Sequence, residues 1–506
     1  MPKISHNISI AGLNIDRESK TPLSRQLYEG IRMAILNKQI RPGQRLPSSR
    51  TLAEDIGLSR NIVLLAYEQL TLEGYLTGSV GNGSFVSADA HKAFTEFTSV
   101  KKKAASSETA TTKQEEDFNP GYEVSTLYAD RESIKAIVKP FQNPVPALDH
   151  FPYRSWAKCA NKIFRSLEFL QLSYDDAQGY YPLRETIAEY LRINRALICE
   201  PEQIIITYGT QQALNLIANV IIKKGDQFWI EDPGYINAKL AFSHVGGIPC
   251  FVPVTKQGLD LNYAKQNYPN ARLAFLTPSH QFPLGGSFPI GKRLQLLDWA
   301  AENKMWIIED DYDSELRYVA KPIPSLQGMD RHKRVIYTGT FSKVLFPGLR
   351  IGYLVLPDEQ TTNVFKQAKA FADRQNSISD QLILNDFMRE GYLSTHLRKM
   401  RVLYKKRQDH LVELIRKYGE NIISTEKEGS GMHIIARLRQ DIDDQEISSI
   451  LNRAGVINLP ISVYANKFKH PPALLLGYTA FNEQKNEEAV LKMMTIIKDY
   501  LKARER

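Results

Sequence analysis

Short apolar runs punctuate the centre of this chain: Ile204-Ile-Ile-Thr207, Phe228-Trp-Ile230, Arg272-Leu-Ala-Phe-Leu276, Met305-Trp-Ile-Ile308 and Val335-Ile-Tyr337. Longer stretches with helical character lie between them. Runs this short suit fully buried strands, whereas a buried helix needs ten residues or more. Strands interleaved with amphipathic helices specify a mainly parallel sheet covered on both faces, because each parallel return requires a crossover. Such sheets bind ligands at the carboxyl ends of their strands. The residues just beyond each run are therefore the first candidates for a site.

Beyond Val335-Ile-Tyr337 the chain breaks at Gly339 into a loop that carries Thr340, Ser342, Lys343 and, after Pro347-Gly348, Arg350. A lysine at the end of a buried strand supplies an amine for a Schiff base with an aldehyde. The hydroxyls and the guanidinium supply donors for a phosphate. Pyridoxal 5'-phosphate requires all of these groups. On this loop alone, a solvated basic surface segment is an equal alternative. Met305-Trp-Ile-Ile308 ends in Glu309-Asp-Asp-Tyr-Asp-Ser-Glu315. Asp310 at that strand end is placed to converge with Lys343 and to keep a pyridine nitrogen protonated, and Tyr312 to donate to the ring's phenolic oxygen. The other reading of the acidic run is a solvated helix start, where carboxylates are favoured. Together the two segments favour a cofactor site. Gly209-Thr-Gln-Gln-Ala-Leu214 follows a third strand and opens a helix, whose first amides can cradle a phosphate, with Thr210 and Gln211 as contacts.

Residues 16–88 read as a separate small unit. Leu23, Leu27, Ile31, Ala34 and Ile35 recur at helical spacing. Ser48 or Ser49 is placed to cap a second helix carrying Leu52, Ala53 and Ile56, with Gly57 as the turn. Ser59 then caps a third, with Val63, Ala66, Tyr67 and Leu70 inward. Arg60, Asn61 and Leu64 fall off the buried stripe near that helix start, as in a helix-turn-helix whose recognition helix presents its first residues to base edges. Leu72-Glu-Gly-Tyr-Leu76 and Gly83-Ser-Phe-Val86 flank a Gly-Ser-rich tip and read as a hairpin wing. Residues 89–120 are polar and simple in composition and read as a flexible linker. Residues 121–506 form the large α/β domain.

The net charge of +9 in 506 residues favours a polyanionic partner such as double-stranded DNA. Three widely spaced cysteines, Cys159, Cys199 and Cys250, fit a reducing cytoplasm and argue against a disulfide framework or a metal cluster. No apolar run approaches the ~18 residues that a membrane span needs. A soluble, cytoplasmic protein without a membrane partner is expected.

Tyr174-Asp-Asp-Ala-Gln-Gly-Tyr-Tyr-Pro-Leu-Arg184, Thr207-Tyr-Gly-Thr-Gln-Gln-Ala-Leu214, Glu231-Asp-Pro-Gly-Tyr235, Thr277-Pro-Ser-His-Gln-Phe-Pro-Leu-Gly285, Glu309-Asp-Asp-Tyr312 and Gly339-Thr-Phe-Ser-Lys343 resemble, in order, the fold type I aminotransferases. More narrowly they resemble the effector domain of MocR-type transcription regulators. Leu46-Pro-Ser-Ser-Arg50, Leu58-Ser-Arg-Asn61 and Gly81-Asn-Gly-Ser-Phe-Val86 resemble the winged helix-turn-helix of the GntR family. The resemblance implies DNA contacts at Arg50, Ser59, Arg60 and Asn61, with Ile62 standing where threonine is usual. It implies pyridoxal 5'-phosphate held by Lys343, Asp310, Tyr312, Thr210, Gln211, Thr340, Ser342 and Arg350. It puts Tyr235 over the cofactor ring, although a lone tyrosine is equally a core residue. The segment from Thr277 departs from the aminotransferase pattern Asn-Pro-x-Asn-Pro-Thr-Gly; there His280 or Gln281 reaches the ring, or the segment is a structural turn. Many aminotransferases carry a carboxylate-gripping arginine where this chain has Leu475. The expectation is a homodimeric, cofactor-dependent DNA-binding regulator with little or no turnover. It would sense pyridoxal 5'-phosphate itself or an amine or amino acid that reacts with it, and so control vitamin B6 or amino-acid metabolism. The alternative is an active aminotransferase with an appended DNA-binding head.

Overall fold

A computed structural model describes residues 15–37, 39–79, 83–88, 138–142, 145–168, 173–318 and 324–504. The chain divides into two compact units, Met1–Glu123 and Val124–Arg506. The linker expected at 89–120, the first residues of the expected large domain and the tip of the wing lie outside the described residues.

The first unit contains α1 (Leu23–Leu36), α2 (Ser49–Ile56) and α3 (Arg60–Leu72), followed by β1 (Leu76–Ser79) and β2 (Gly83–Val86). Its core is built by the residues that the helical spacing selects: Leu27, Ile31, Ala34 and Ile35 from α1, Leu52 and Ala53 from α2, and Val63, Ala66, Tyr67 and Leu70 from α3. Ser48 rather than Ser49 caps α2, its hydroxyl accepting the Thr51 N–H at 3.1 Å. Gly57 ends that helix in the left-handed region at φ 61°, where a side chain would be strained. β1 and β2 pair antiparallel from Leu76 opposite Val86 to Ser79 opposite Gly83. The wing therefore begins later than the sequence suggests. Leu72 is the last residue of α3, solvent-exposed, and the chain turns at Gly74 before β1 starts. An apolar residue at a helix end carries no mark of where the helix stops.

The second unit is built on a sheet in the order β3-β10-β9-β8-β7-β4-β5-β6. Its strands are β3 (Ile204–Thr207), β4 (Gln227–Asp232), β5 (Ile248–Thr255), β6 (Gly258–Leu259), β7 (Leu273–Leu276), β8 (Trp306–Asp311), β9 (Val335–Thr340) and β10 (Gly352–Val355). β5, β4, β7, β8 and β9 run parallel, as the interleaved pattern predicts. β10 is antiparallel to both its neighbours, β3 and β9, so the sheet is mixed. One face packs Ile230, Phe275, Ile308 and Ile336 against helices that include Thr210–Ile221 and Ile236–His244. The other packs Trp229, Ala274, Ile307 and Val335 against Ile290–Glu302.

A smaller antiparallel sheet follows, in the order β11-β12-β14-β13, from β11 (Ile423–Thr425), β12 (His433–Leu438), β13 (Leu459–Pro460) and β14 (Ala473–Gly477). The 27-residue helix Tyr392–Tyr418 packs its Leu397, Met400, Tyr404, Leu411 and Ile415 into the same core as Ile434, Leu474 and Leu476 of this sheet.

Candidate functional site

Parallel register fixes where the site lies. Ile230, Phe275, Ile308 and Ile336 sit side by side across β4, β7, β8 and β9. Continuing along the strands brings Glu231, Thr277, Asp310 and the segment after Thr340 to one edge of the sheet. Asp310, opposite Thr338, is 4% exposed. Burial pushes its carboxyl up to about 8; Asp311, Asp313 and Glu231 add to the rise, while Lys343 opposes it. Lys343 thus lies within electrostatic reach of Asp310, as the strand-end argument requires. Asp310 Oδ1 is buried with no hydrogen-bond donor among the described residues. A buried carboxylate oxygen without a donor is costly, and a protonated ring nitrogen is the partner that would relieve it.

Glu231, also fully buried, is pushed up to about 7 by desolvation, although it accepts from both the N–H and the hydroxyl of Thr277, at 3.1 and 2.9 Å.

Gly209 opens the helix Thr210–Ile221 at φ 77°, a conformation that only glycine adopts freely. A Cβ there would meet Arg350 Nη1 at 3.4 Å, so the guanidinium covers the amino end of that helix. Arg350 donates from Nη2 to the Tyr208 carbonyl at 2.9 Å and is otherwise exposed. Ser342 Oγ is buried without a partner among the described residues, whereas the Thr340 hydroxyl accepts the Ser342 N–H at 3.2 Å and holds the loop. Gln211 has a buried carbonyl oxygen without a partner among the described residues, while its amide NH2 donates to Asn215 Oδ1 at 3.4 Å. Its neighbour Gln212 accepts the Tyr208 N–H and donates to Asp373. Arg350, Ser342 and the first amides of the helix fit a phosphate, and Thr340 and Gln211 flank them in the loop and on the first turn of the helix.

Tyr235 precedes the helix Ile236–His244, stacks on Phe275 at 6.3 Å and meets Phe282 edge-on at 5.8 Å. His280 does not stand alone: its Nδ1 lies 2.8 Å from Asp313 Oδ2 and 3.1 Å from the Tyr312 hydroxyl. Burial lowers the imidazole's basicity, but the Asp313 charge and hydrogen bond, with Glu428, raise it above its ordinary value. Gly431 is required alongside, since a Cβ there would come within 2.3 Å of the His280 ring. Gln281 makes the structural turn, donating to the Pro233 carbonyl and accepting from Leu284 N–H.

The acidic run is not a solvated helix start. Its start ends β8, and Glu309, Asp311 and Asp313 are buried, each with its own partner. Glu309 accepts the N–H groups of Leu326 and Gln327 at 3.0 Å each. Asp311 pairs with Arg195 at 2.5 Å and accepts from the Tyr337 hydroxyl. The pairing of Arg195 with Asp311, and of His280 with Asp313, joins residues more than thirty positions apart that no local motif connects.

In the first unit, Arg50, Ser59, Arg60 and Asn61 are all exposed. Arg60 reaches toward Ser49 Oγ at 3.5 Å, so the starts of α2 and α3 present one surface. Ser59 occupies the N-cap position of α3 without a side-chain capping bond. Arg45, which sequence reasoning passed over, lies over the Phe85 ring at the base of the wing, 5.9 Å from its centroid.

Residues 145–492 match the family "Aminotransferase class I and II", whose members depend on pyridoxal 5'-phosphate, and residues 23–86 match "Bacterial regulatory proteins, gntR family". The chain is 36% identical over 487 residues to the probable rhizopine catabolism regulatory protein MocR of Rhizobium meliloti, covering 94% of each chain. It is 33% identical over 389 residues to the HTH-type pyridoxine biosynthesis transcriptional regulator PdxR of Corynebacterium glutamicum, covering 77% of this chain and 78% of that one. Among solved structures it resembles LysN, an α-aminoadipate aminotransferase from Thermus thermophilus complexed with N-(5'-phosphopyridoxyl)-L-leucine, with a TM-score of 0.70 and 28% identity over 78% of this chain and all of that one. No helix among the described residues is long and apolar enough to cross a membrane. A GntR helix-turn-helix on the same chain as a fold type I aminotransferase domain, with whole-length similarity to such regulators, makes this protein a member of the MocR-type transcription regulators.

Proposed function

We propose that this regulator binds pyridoxal 5'-phosphate through Lys343 and uses the occupancy of that site to control DNA binding by Arg50, Ser59, Arg60 and Asn61. The observation that carries the reading is the buried, unpartnered Oδ1 of Asp310 within electrostatic reach of Lys343. When bound there, the cofactor supplies an aldehyde and an electron-withdrawing ring. The chain's own residues do the rest. Asp310 holds a proton on the ring nitrogen, Tyr312 donates to the phenolic oxygen, and Tyr235 covers a ring face. Arg350, Thr340, Ser342, Gln211 and the Thr210 amide end grip the phosphate, and His280 orients Tyr312.

The protein acts as a cytoplasmic homodimer, so that two heads meet two half-sites. Ligand control requires the cofactor or effector to bind one arrangement of the dimer more tightly than another. Turnover is slow or absent, because Leu475 offers an α-carboxylate no charge. The second reading, an active aminotransferase with a DNA-binding head, draws support from the Lys343, Asp310 and phosphate-side residues and from the likeness to LysN. Mapping bound DNA across the genome with and without cofactor tests the regulatory reading; binding that ignores cofactor at every locus contradicts it.

A further inference from the structure

The net charge of +9 is not carried by the helix-turn-helix unit. Residues 1–123 hold almost as many aspartates and glutamates as lysines and arginines, so the excess of base lies in residues 124–506. Part of that excess is gathered on one helix. Tyr153–Arg165 carries Arg154, Lys158, Lys162 and Arg165 and no acid. Its inner side is set by Trp156, Cys159 and Ile163, which pack into the core, Trp156 against Phe387 at 5.3 Å. Arg154, Lys158 and Arg165 fall at i, i+4 and i+11, on the opposite, exposed side. Lys162 pairs instead with Asp386 and Glu390, at 2.5 and 3.6 Å.

The same surface continues onto the helix Tyr392–Tyr418. Lys158 Nζ donates to the Tyr392 hydroxyl at 3.3 Å, and Phe151, just before the first helix, meets His396 edge-on at 6.2 Å. Arg398 and Lys399 follow within a turn of His396 and are exposed. Farther along, Lys405 and Lys406 have Asp409 and Glu483 as partners at 2.8 Å each, whereas Arg154, Arg165, Arg398 and Lys399 have no acid partner among the described residues. Like charges four positions apart destabilise a helix. Arg154 beside Lys158 is such a pair, and a polyanion laid across this face would offset it.

We infer that this face of the second unit, centred on Arg154, Lys158, Arg165, Arg398 and Lys399, is a second DNA-binding surface. It holds the phosphate backbone of duplex flanking the site that α2 and α3 read. The inference rests on the DNA binding proposed above and adds contacts outside the helix-turn-helix. DNA is the polyanion that a DNA-binding head on the same chain keeps close. That tethering raises the local concentration of duplex, so contacts too weak to bind alone still count. Phosphate contacts position the duplex and carry no base preference. Each phosphate neutralised releases counterions, so this surface acts on the salt dependence of binding and not on its sequence preference.

The test measures affinity against salt for the full-length protein on two duplexes: a mapped genomic site trimmed to its half-sites, and the same site with flanking DNA. The expected result for the native protein is a steeper salt slope on the flanked duplex. Arg154→Gln, Arg165→Gln and Arg398→Gln together are expected to flatten that slope by about three, close to one for each charge removed. Binding to the trimmed duplex and the base preference should not change. Arg154→Lys, Arg165→Lys and Arg398→Lys together are expected to keep the native slope, because the charge is what counts. Should the glutamine variant not fold, the two native slopes still decide. Equal native slopes on the two duplexes, or a folded glutamine variant with the native slope on the flanked one, overturn the inference. Failure of the underlying function is read separately, as absence of native binding to the trimmed duplex.

Discussion

His280 Nδ1 lies 2.8 Å from Asp313 Oδ2, and that contact determines what the Tyr312 hydroxyl is able to do. Nδ1 carries a single proton, and the carboxylate is its better acceptor. With the proton committed to Asp313, the Tyr312 oxygen at 3.1 Å receives at most a share of it and keeps its own proton for another acceptor. Burial and the surrounding carboxylates hold the Tyr312 phenol well above its ordinary range, so it stays protonated.

Tyr312→Phe is therefore expected to leave the fold intact, shift the absorption band of the bound cofactor and weaken cofactor binding by about 0.5–1.5 kcal/mol. Spectral titration of the variant checks this. An unchanged band and affinity would place the Tyr312 proton on His280 instead.

Asp310 gives a pH dependence whose sign is fixed. Its carboxyl is raised, chiefly by burial, from 3.8 to about 8, so the folded cofactor-free protein holds a proton that the unfolded chain has released across that window. Stability of the cofactor-free protein then falls as pH rises from roughly 4 to 8. Glu231, raised to about 7, acts in the same direction. Asp310→Asn keeps the shape and cannot ionise. Its melting temperature is expected to decline less steeply over the window, and its cofactor affinity to drop. Parallel slopes for native and variant proteins would show that Asp310 is charged in the cofactor-free state.

Arg60→Ala is expected to weaken binding to the cognate operator by about 1–3 kcal/mol without changing cofactor uptake, since Arg60 is exposed at the start of α3. Gel-shift titration at moderate salt measures it. Unchanged affinity would mean that another face of this unit meets the bases.

Much of this was legible in the sequence, for identifiable reasons. The inward faces of α1, α2 and α3 follow from helical spacing, the parallel strands from their alternation with helices, and the approach of Lys343 to Asp310 from their places at the ends of two such strands. The direction of β10 was not legible, because Gly352-Tyr-Leu-Val355 reads the same whichever way the strand runs. Its signal was the segment 341–351, too short for the crossover that a parallel return needs. The separate partners of Asp311 and Asp313 were invisible because Arg195 and His280 reach them from distant elements. The Thr340 hydroxyl accepts the Ser342 N–H, a contact within the loop that composition does not report.

Transamination is expected to be slow. The expectation rests on Leu475 standing where many aminotransferases carry an arginine: an α-carboxylate that lacks such a partner loses roughly 1.5–3 kcal/mol in binding, and loose placement of the reacting bond lowers the rate further. A single-turnover assay with a panel of L- and D-amino acids follows conversion of the bound aldehyde to pyridoxamine 5'-phosphate. Conversion of any of them at rates typical of aminotransferases would promote the enzymatic reading.

The most direct measurement of the central claim is operator footprinting of purified native protein and Lys343→Ala, each titrated with pyridoxal 5'-phosphate, with borohydride trapping in parallel. The expected result is a trapped adduct and a cofactor-dependent change in footprint or affinity for the native protein. The variant should remain folded and bound to DNA, but with neither the adduct nor the response. A trapped adduct persisting in the variant, or a native footprint indifferent to the cofactor, would contradict the assignment of Lys343 as the residue that couples this site to DNA.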